Sequence, residues 1–146
     1  MNDIAAIRQL NPQAPPAYNG LQEGQAGQLF EDVPFDYIHD IVVGASATNN
    51  FEKSMDDDAD FAWRGIVIVS QTGAFSVQFS DSQWYFLQSD LVSSVLLAGD
   101  ASSPFAVWPE LLIPAGGRIA ARIRDDSAAE NTIQIAYRGV KRYQLA

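Results

Sequence analysis

Cysteine is absent from this 146-residue chain, which excludes both a disulfide framework and a thiolate metal site. Stability must therefore come from packing or from association with other chains. Histidine is nearly absent too: His39 alone cannot build a multi-histidine metal centre, so no metal and no cofactor is expected. Nowhere is there an apolar run of the roughly 18 residues that a membrane helix needs. Met1-Asn2-Asp3-Ile4 also lacks a basic region followed by an apolar stretch, so a soluble chain made in a cytoplasm, without membrane contact, is expected. Bases are scarce, nine against eighteen acids, for a net charge of −9.

The bases are also unevenly placed. Six lie in the last 36 positions, which carry +3, whereas residues 1–110 carry −12. Phosphate would be repelled by such a body, which argues against nucleic acid as a partner. The basic end suits contact with an acidic patch on a neighbouring subunit; ordinary solvated arginine faces explain it equally well.

Hydrophobic residues make up 47% of the chain, enough for one domain with a core of its own. Their period is that of strands. Ile119, Ala121 and Ile123 alternate with Arg118, Arg122 and Arg124; Ile133, Ile135 and Tyr137 alternate with Thr132, Gln134 and Arg138. The polar run 125–131 between them predicts an antiparallel hairpin with its Ile/Tyr face inward, and Gly139 a bend or bulge late in its second strand. A second hairpin is expected from Phe61 to Ser80, turning at Thr72-Gly73. Its first strand, Ile66-Val67-Ile68-Val69, is apolar on both faces and calls for cover by a second layer, an arm or a partner. Further strands are expected over 35–43 and 47–53. Trp84 to Leu87 is strand-like, Val92 to Leu97 fits either a strand or a helical turn, and 98–109 reads as a loop. About eight short strands and no long amphipathic helix predict an all-β fold, an antiparallel β-sandwich or jelly-roll-like barrel over 35–146. Residues 1–34, broken by Pro12, Pro15 and Pro16 and by glycines, read as an extended N-terminal arm. Ile4, Ile7, Leu10, Tyr18, Leu21, Leu29 and Phe30 are spaced through it, as in an arm that orders on another subunit; the plainer alternative is a disordered leader.

No catalytic motif stands out. Asp56, Asp58 and Asp60 have the start of a calcium-loop spacing, but Phe61 and Val67 stand where its glycine and bidentate glutamate belong, leaving a solvated acidic turn. Gly44-Ala45-Ser46-Ala47-Thr48 approaches a nucleophile elbow yet lacks the second glycine and the following helix. Trp63, Trp84, Tyr85, Phe105 and Trp108 suit either a core and subunit interface or stacking on sugars.

Leu112-Ile113-Pro114-Ala115-Gly116-Gly117-Arg118-Ile119, then Ile123-Arg124-Asp125, Asn131-Thr132-Ile133-Gln134-Ile135 and Tyr137-Arg138-Gly139-Val140-Lys141-Arg142-Tyr143, resembles the end of small structural proteins of tailed bacteriophages. The resemblance covers mainly residues 61–146. It implies a jelly-roll-like virion protein, including capsid decoration or cement proteins, and carries over no catalytic residue. The expectation is a non-enzymatic protein on the capsid surface, assembled in the host cytoplasm, forming a trimer and bridging major capsid or other virion proteins. Ile66 and Ile68 would join subunits, and the arm and Arg118, Arg122, Arg124 and Arg138 would clamp neighbours. The alternative is a carbohydrate-binding or receptor-binding tail or neck component.

Overall fold

Long β-branched runs interrupted by short polar segments leave the chain few options other than stacked sheets, and the computed structural model, which describes residues 21–23, 29–81, 86–97 and 105–145, is built of nine strands among them. They are β1 (Leu21–Glu23), β2 (Leu29–Val43), β3 (Thr48–Ser54), β4 (Asp60–Gln71), β5 (Phe75–Asp81), β6 (Val92–Ser93), β7 (Phe105–Ile113), β8 (Arg118–Asp125) and β9 (Asn131–Leu145). One sheet has the order β1-β2-β9-β4-β7 and the other β3-β8-β5-β6. The pairing is nested: β2 with β9, β3 with β8, β4 with β7, and β5 with β6, all antiparallel. The chain is thus one long hairpin rolled into two layers, the jelly-roll connectivity.

This nesting corrects both predicted hairpins. β8 lies in the four-stranded sheet and β9 in the five-stranded one; β4 and β5 are likewise split. Segments 126–130 and 72–74 are arches between layers rather than turns within one. Alternation tells which side of a strand is apolar, but two facing strands and two paired strands give the same pattern. The inward faces are as expected: Ile119, Ala121, Ile123, Ile133, Ile135 and Tyr137 are all buried. The sheet also starts ahead of Phe35, because Leu21–Glu23 pairs with Leu29–Glu31, and β2 runs on from there along β9. The expected loop 98–109 becomes strand from Phe105 onward, while Val92–Leu97 provides both a short strand and a 3-10 turn, Ser94–Leu97.

At the centre Trp63, Phe79 and Tyr137 meet edge to face, with ring centroids 5.5 to 6.0 Å apart. That geometry aims positive ring edges at negative ring faces across the layer gap. Ile66, at 0% exposure, is part of this core and offers nothing to a partner; Ile68 is partly buried against it. The ladder slips twice, between Trp63 and Gly65 and between Ile68 and Ser70; the first slip lies opposite Gly139, so the expected bulge exists with its extra residue, Arg64, on the partner strand. A Cβ on Gly139 would overlap the carbonyl oxygen of Ala62, a backbone atom held in the β4–β9 ladder. Gly139→Ala should therefore cost about 3 kcal/mol, measured as a lower urea midpoint, because relief requires the ladder itself to move.

Candidate interaction surfaces

Both ends of the sandwich are closed by polar clusters. At one end Asp125, 4% exposed, accepts from the backbone N–H of Ser46 (2.8 Å), the N–H of Ser127 (3.1 Å) and the Ser127 hydroxyl (2.6 Å). Asn131, fully buried, accepts from Gly73 N–H and donates to the carbonyls of Gly73 and Ala74. Together they tie the β2–β3, β4–β5 and β8–β9 arches. Ser46 sits at φ 56°, so the near-elbow sequence is a strand-to-strand turn pinned to a carboxylate, not a nucleophile mount.

At the other end the acidic loop is solvent-exposed, as expected, and is also tied to the last strand. Lys141 Nζ donates to Asp56 (2.8 Å) and Asp58 (3.0 Å) and lies 4.2 Å from the centre of the Phe35 ring. The Tyr143 hydroxyl donates to Asp58, and the Asp56 N–H donates to Tyr37 Oη. Gly116 N–H and Met55 N–H complete backbone bonds to Asp56 and Gly117. Burial opposes the lysine's charge, but the two carboxylates outweigh it and raise its pKa; the Tyr143 hydroxyl and then Lys141 hold Asp58 below its usual range. An ammonium group thus occupies the place a cation would take between Asp56 and Asp58, while Asp60 accepts from Ala115 N–H. Among the described residues no group of acidic and histidine side chains is arranged to hold a metal.

His39 faces inward and shares a 2.8 Å hydrogen bond with the hydroxyl of Tyr137. Its strand neighbour Asp40 points to the other face, where it accepts from Gln134, so the pair does not form a base and its orienting acid. No family model matches the chain, and no curated protein matches it.

The outer faces of the two sheets differ. On the four-stranded sheet, Arg118, Arg122 and Arg124 project outward among Thr48, Asn50, Gln78 and Ser76. Arg118 pairs with Glu52 at 3.2 Å and Arg124 with Asp126 at 2.8 Å, both half-exposed pairs of small energetic weight. Arg138, expected beside them, lies instead on the five-stranded sheet, paired with Asp36 at 3.3 Å. The single basic hairpin is therefore two separate surfaces on opposite sides of the molecule. The five-stranded sheet also carries Arg142, bridging Asp32 (2.9 Å) and Glu110 (3.2 Å), and Arg64 on Glu110 (2.9 Å). Between these pairs lies a shallow hollow of about 330 Å³, floored by Val67 and Ala136 and rimmed by Ile38, Val69, Asp36 and Arg138. At the β7 edge Arg64 alone stands opposite Val107, Trp108, Pro109 and Glu110, and this wide bulge leaves Trp108 86% exposed.

Of the other residues expected at an interface, Leu29 and Phe30 are half-buried in β2, with the Arg142 guanidinium 5.8 Å from the Phe30 ring centre. Leu21 belongs to β1. Ile4, Ile7, Leu10 and Tyr18 lie outside the described residues, as do Trp84 and Tyr85. The Lys141 cluster was not foreseen. Its signal was present as a lone lysine at an inward position of an alternating strand, a place where charge needs a buried partner.

Two acid-sensitive windows follow. Burial, helped by the charge of Lys53 and opposed by Asp40, pushes His39 from 6.5 down to about 4, so the fold favours the neutral ring. Its contribution is complete above pH 6.5 and fades as pH falls towards 4. The Ser127 hydroxyl, then Ser46 N–H, hold Asp125 at about 2 against an ordinary 3.8, so its contribution is complete above 3.8 and fades towards 2. The urea midpoint should thus decline in two stages on acidification. His39→Leu should abolish the upper stage alone; an unchanged decline between 6.5 and 4 in that variant would assign the stage to another group.

Lys141→Ala should lower the midpoint at neutral pH by leaving Asp56 and Asp58 opposed without a counterion, and should expose the 55–60 loop to limited proteolysis.

Proposed function

We propose that the chain is a non-enzymatic structural protein of a virion, a decoration or cement protein that bridges neighbouring capsid subunits of a tailed-phage head. The observation that carries an assembly role is one-sidedness. Among the described residues, every exposed large hydrophobic side chain that sits on a strand belongs to the five-stranded sheet. Scattered exposed leucines and valines are ordinary on any protein, and Phe86, Val95 and Leu96 are exposed off the strands; the grouping of Ile38, Val42 and Val69 on the outer side of one sheet is what marks a contact surface. The kind of assembly is supplied by the resemblance of the C-terminal half to phage structural proteins, and the jelly-roll connectivity is compatible with it. In this reading the sandwich is a rigid knob. Its apolar face meets other subunits, and Arg118, Arg122 and Arg124 on the opposite face meet acidic groups of the shell. Ile4, Ile7, Leu10 and Tyr18 of residues 1–20 supply further contacts to neighbours. Several weak contacts engaged together give an avidity that none has alone.

Trp108 favours a second reading, a carbohydrate-binding or receptor-binding component of tail or neck. Its indole ring, 86% exposed on the stretch of β7 opposite Arg64, offers a stacking plane.

Antibody against the purified chain should label intact particles of the phage that carries its gene. Deleting residues 1–20, ahead of β1, should leave the knob folded by circular dichroism yet unable to rejoin stripped particles. Particles devoid of the chain would refute the virion role. A glycan array bound by the wild type and not by Trp108→Ala would transfer the assignment to the second reading.

A further inference from the structure

We propose that the outer face of the five-stranded sheet is where two copies of this chain meet, face to face about a two-fold axis. The inference rests on the assembly role just described and specifies the partner at that surface. Ile38 and Val69 stand 40% and 50% exposed at a hollow floored by Val67 and Ala136, and Val42, 55% exposed, lies farther along β2 on the same face. These are projections beside a recess on one face, the shape an isologous contact needs, since each copy offers both.

Charge selects the occupant. The chain carries −9, and most of its surfaces would repel a second copy. On this face each of Arg64, Arg138 and Arg142 is already paired with a carboxylate of the same face. Asp40, hydrogen-bonded to Gln134, adds a further carboxylate, so a copy approaches a face close to neutral, unlike the strongly acidic chain as a whole, and Asp36–Arg138 pairs from both copies come to border one apolar centre. A strongly charged partner would gain little here and more at the arginine face of the other sheet. The area is adequate. Along the ten residue pairs of β4 and β9 the face is about 34 Å long, and four strands make it about 19 Å wide, so roughly 650 Å² in projection before side-chain relief. A stable dimer buries about 800 Å² per partner, which such a corrugated plate supplies. A two-fold contact of identical faces closes on itself, so it yields a dimer and not the trimer expected from the resemblance.

Sedimentation velocity of the full chain over a concentration series tests this. The expected mass is twice 15.9 kDa at concentrations on the order of 100 µM. Val42→Glu with Val69→Glu, at exposed positions, should weaken dimerisation at least tenfold. Val42→Ser with Val69→Ser, which adds no charge, should weaken it by a smaller factor, and Arg122→Glu on the opposite sheet should leave it unchanged. A monomeric wild type, a trimer, or a dimer indifferent to both valine pairs would overturn the proposal. A chain that dimerises as described but is missing from particles would refute only the virion role; a chain found on particles as a trimer would refute only the two-fold contact.

Discussion

The antiparallel pairing of β2 with β9, fifteen residue pairs between Leu29–Val43 and Asn131–Leu145, is the constraint within which the rest of this molecule is arranged. It joins segments roughly a hundred positions apart, so the entropy of closing that loop must be met by what the closure buries. β3 with β8, β4 with β7 and β5 with β6 then lie inside it in order, each closing a smaller loop. Nested pairing places successive strands in opposite layers for most of the chain, and this is why the arches, not the ladders, connect sequence neighbours. A fold of such non-local contacts is expected to form slowly for its size.

Arches create a problem that tight hairpins avoid. They carry backbone polar groups across the open ends of an apolar sandwich, where water competes for them and the core tends to open. This chain answers with one buried carboxylate and one buried carboxamide at one end, Asp125 and Asn131, and with an ammonium between two carboxylates at the other, Lys141 with Asp56 and Asp58. Each device joins segments from different hairpin levels. Asp125 and Asn131 receive or supply bonds from three arches, and Lys141 brings the last strand to the β3–β4 loop. The ends are thus cross-linked by hydrogen bonds where other small domains use disulfides, in keeping with a chain that has no cysteine.

Legibility in the sequence followed what the period of two encodes. β8 and the start of β9 were readable to within a residue, and their inward faces fully so, because Ile119, Ile123, Ile133 and Ile135 alternate with polar groups; the run of β9 past Gly139 to Leu145 was not. Partner choice was not, since a facing strand and a paired strand both turn an apolar side to the same core. The start of β2 was obscured by Pro34 and by charge at Glu31 and Asp32, residues that suit a strand near a sheet edge as well as they suit an arm. β7 was hidden by Pro109 and by the wide bulge around Trp108, which breaks its alternation. Among candidate sites, the acidic triplet was visible but its function was not: no local rule connects Asp56 and Asp58 to a lysine more than eighty residues away.

The contrast between the two outer faces bears on why the apolar one exists. β-Strand propensity does not require it, because threonine satisfies the same backbone preference as valine while accepting water. Nor is the chain unable to build a polar face: β3 and β8 expose Thr48, Asn50, Arg118, Arg122 and Arg124 with no large hydrophobic group among them. Ile38, Val42 and Val69 therefore occupy positions where a polar residue of equal strand propensity would fit, at the risk that an exposed apolar face brings aggregation. The ion pairs that ring them reduce that risk for unlike partners by keeping the face hydrated at its margins. They leave its centre to a surface that is apolar in the same place, a requirement that an identical face meets by symmetry.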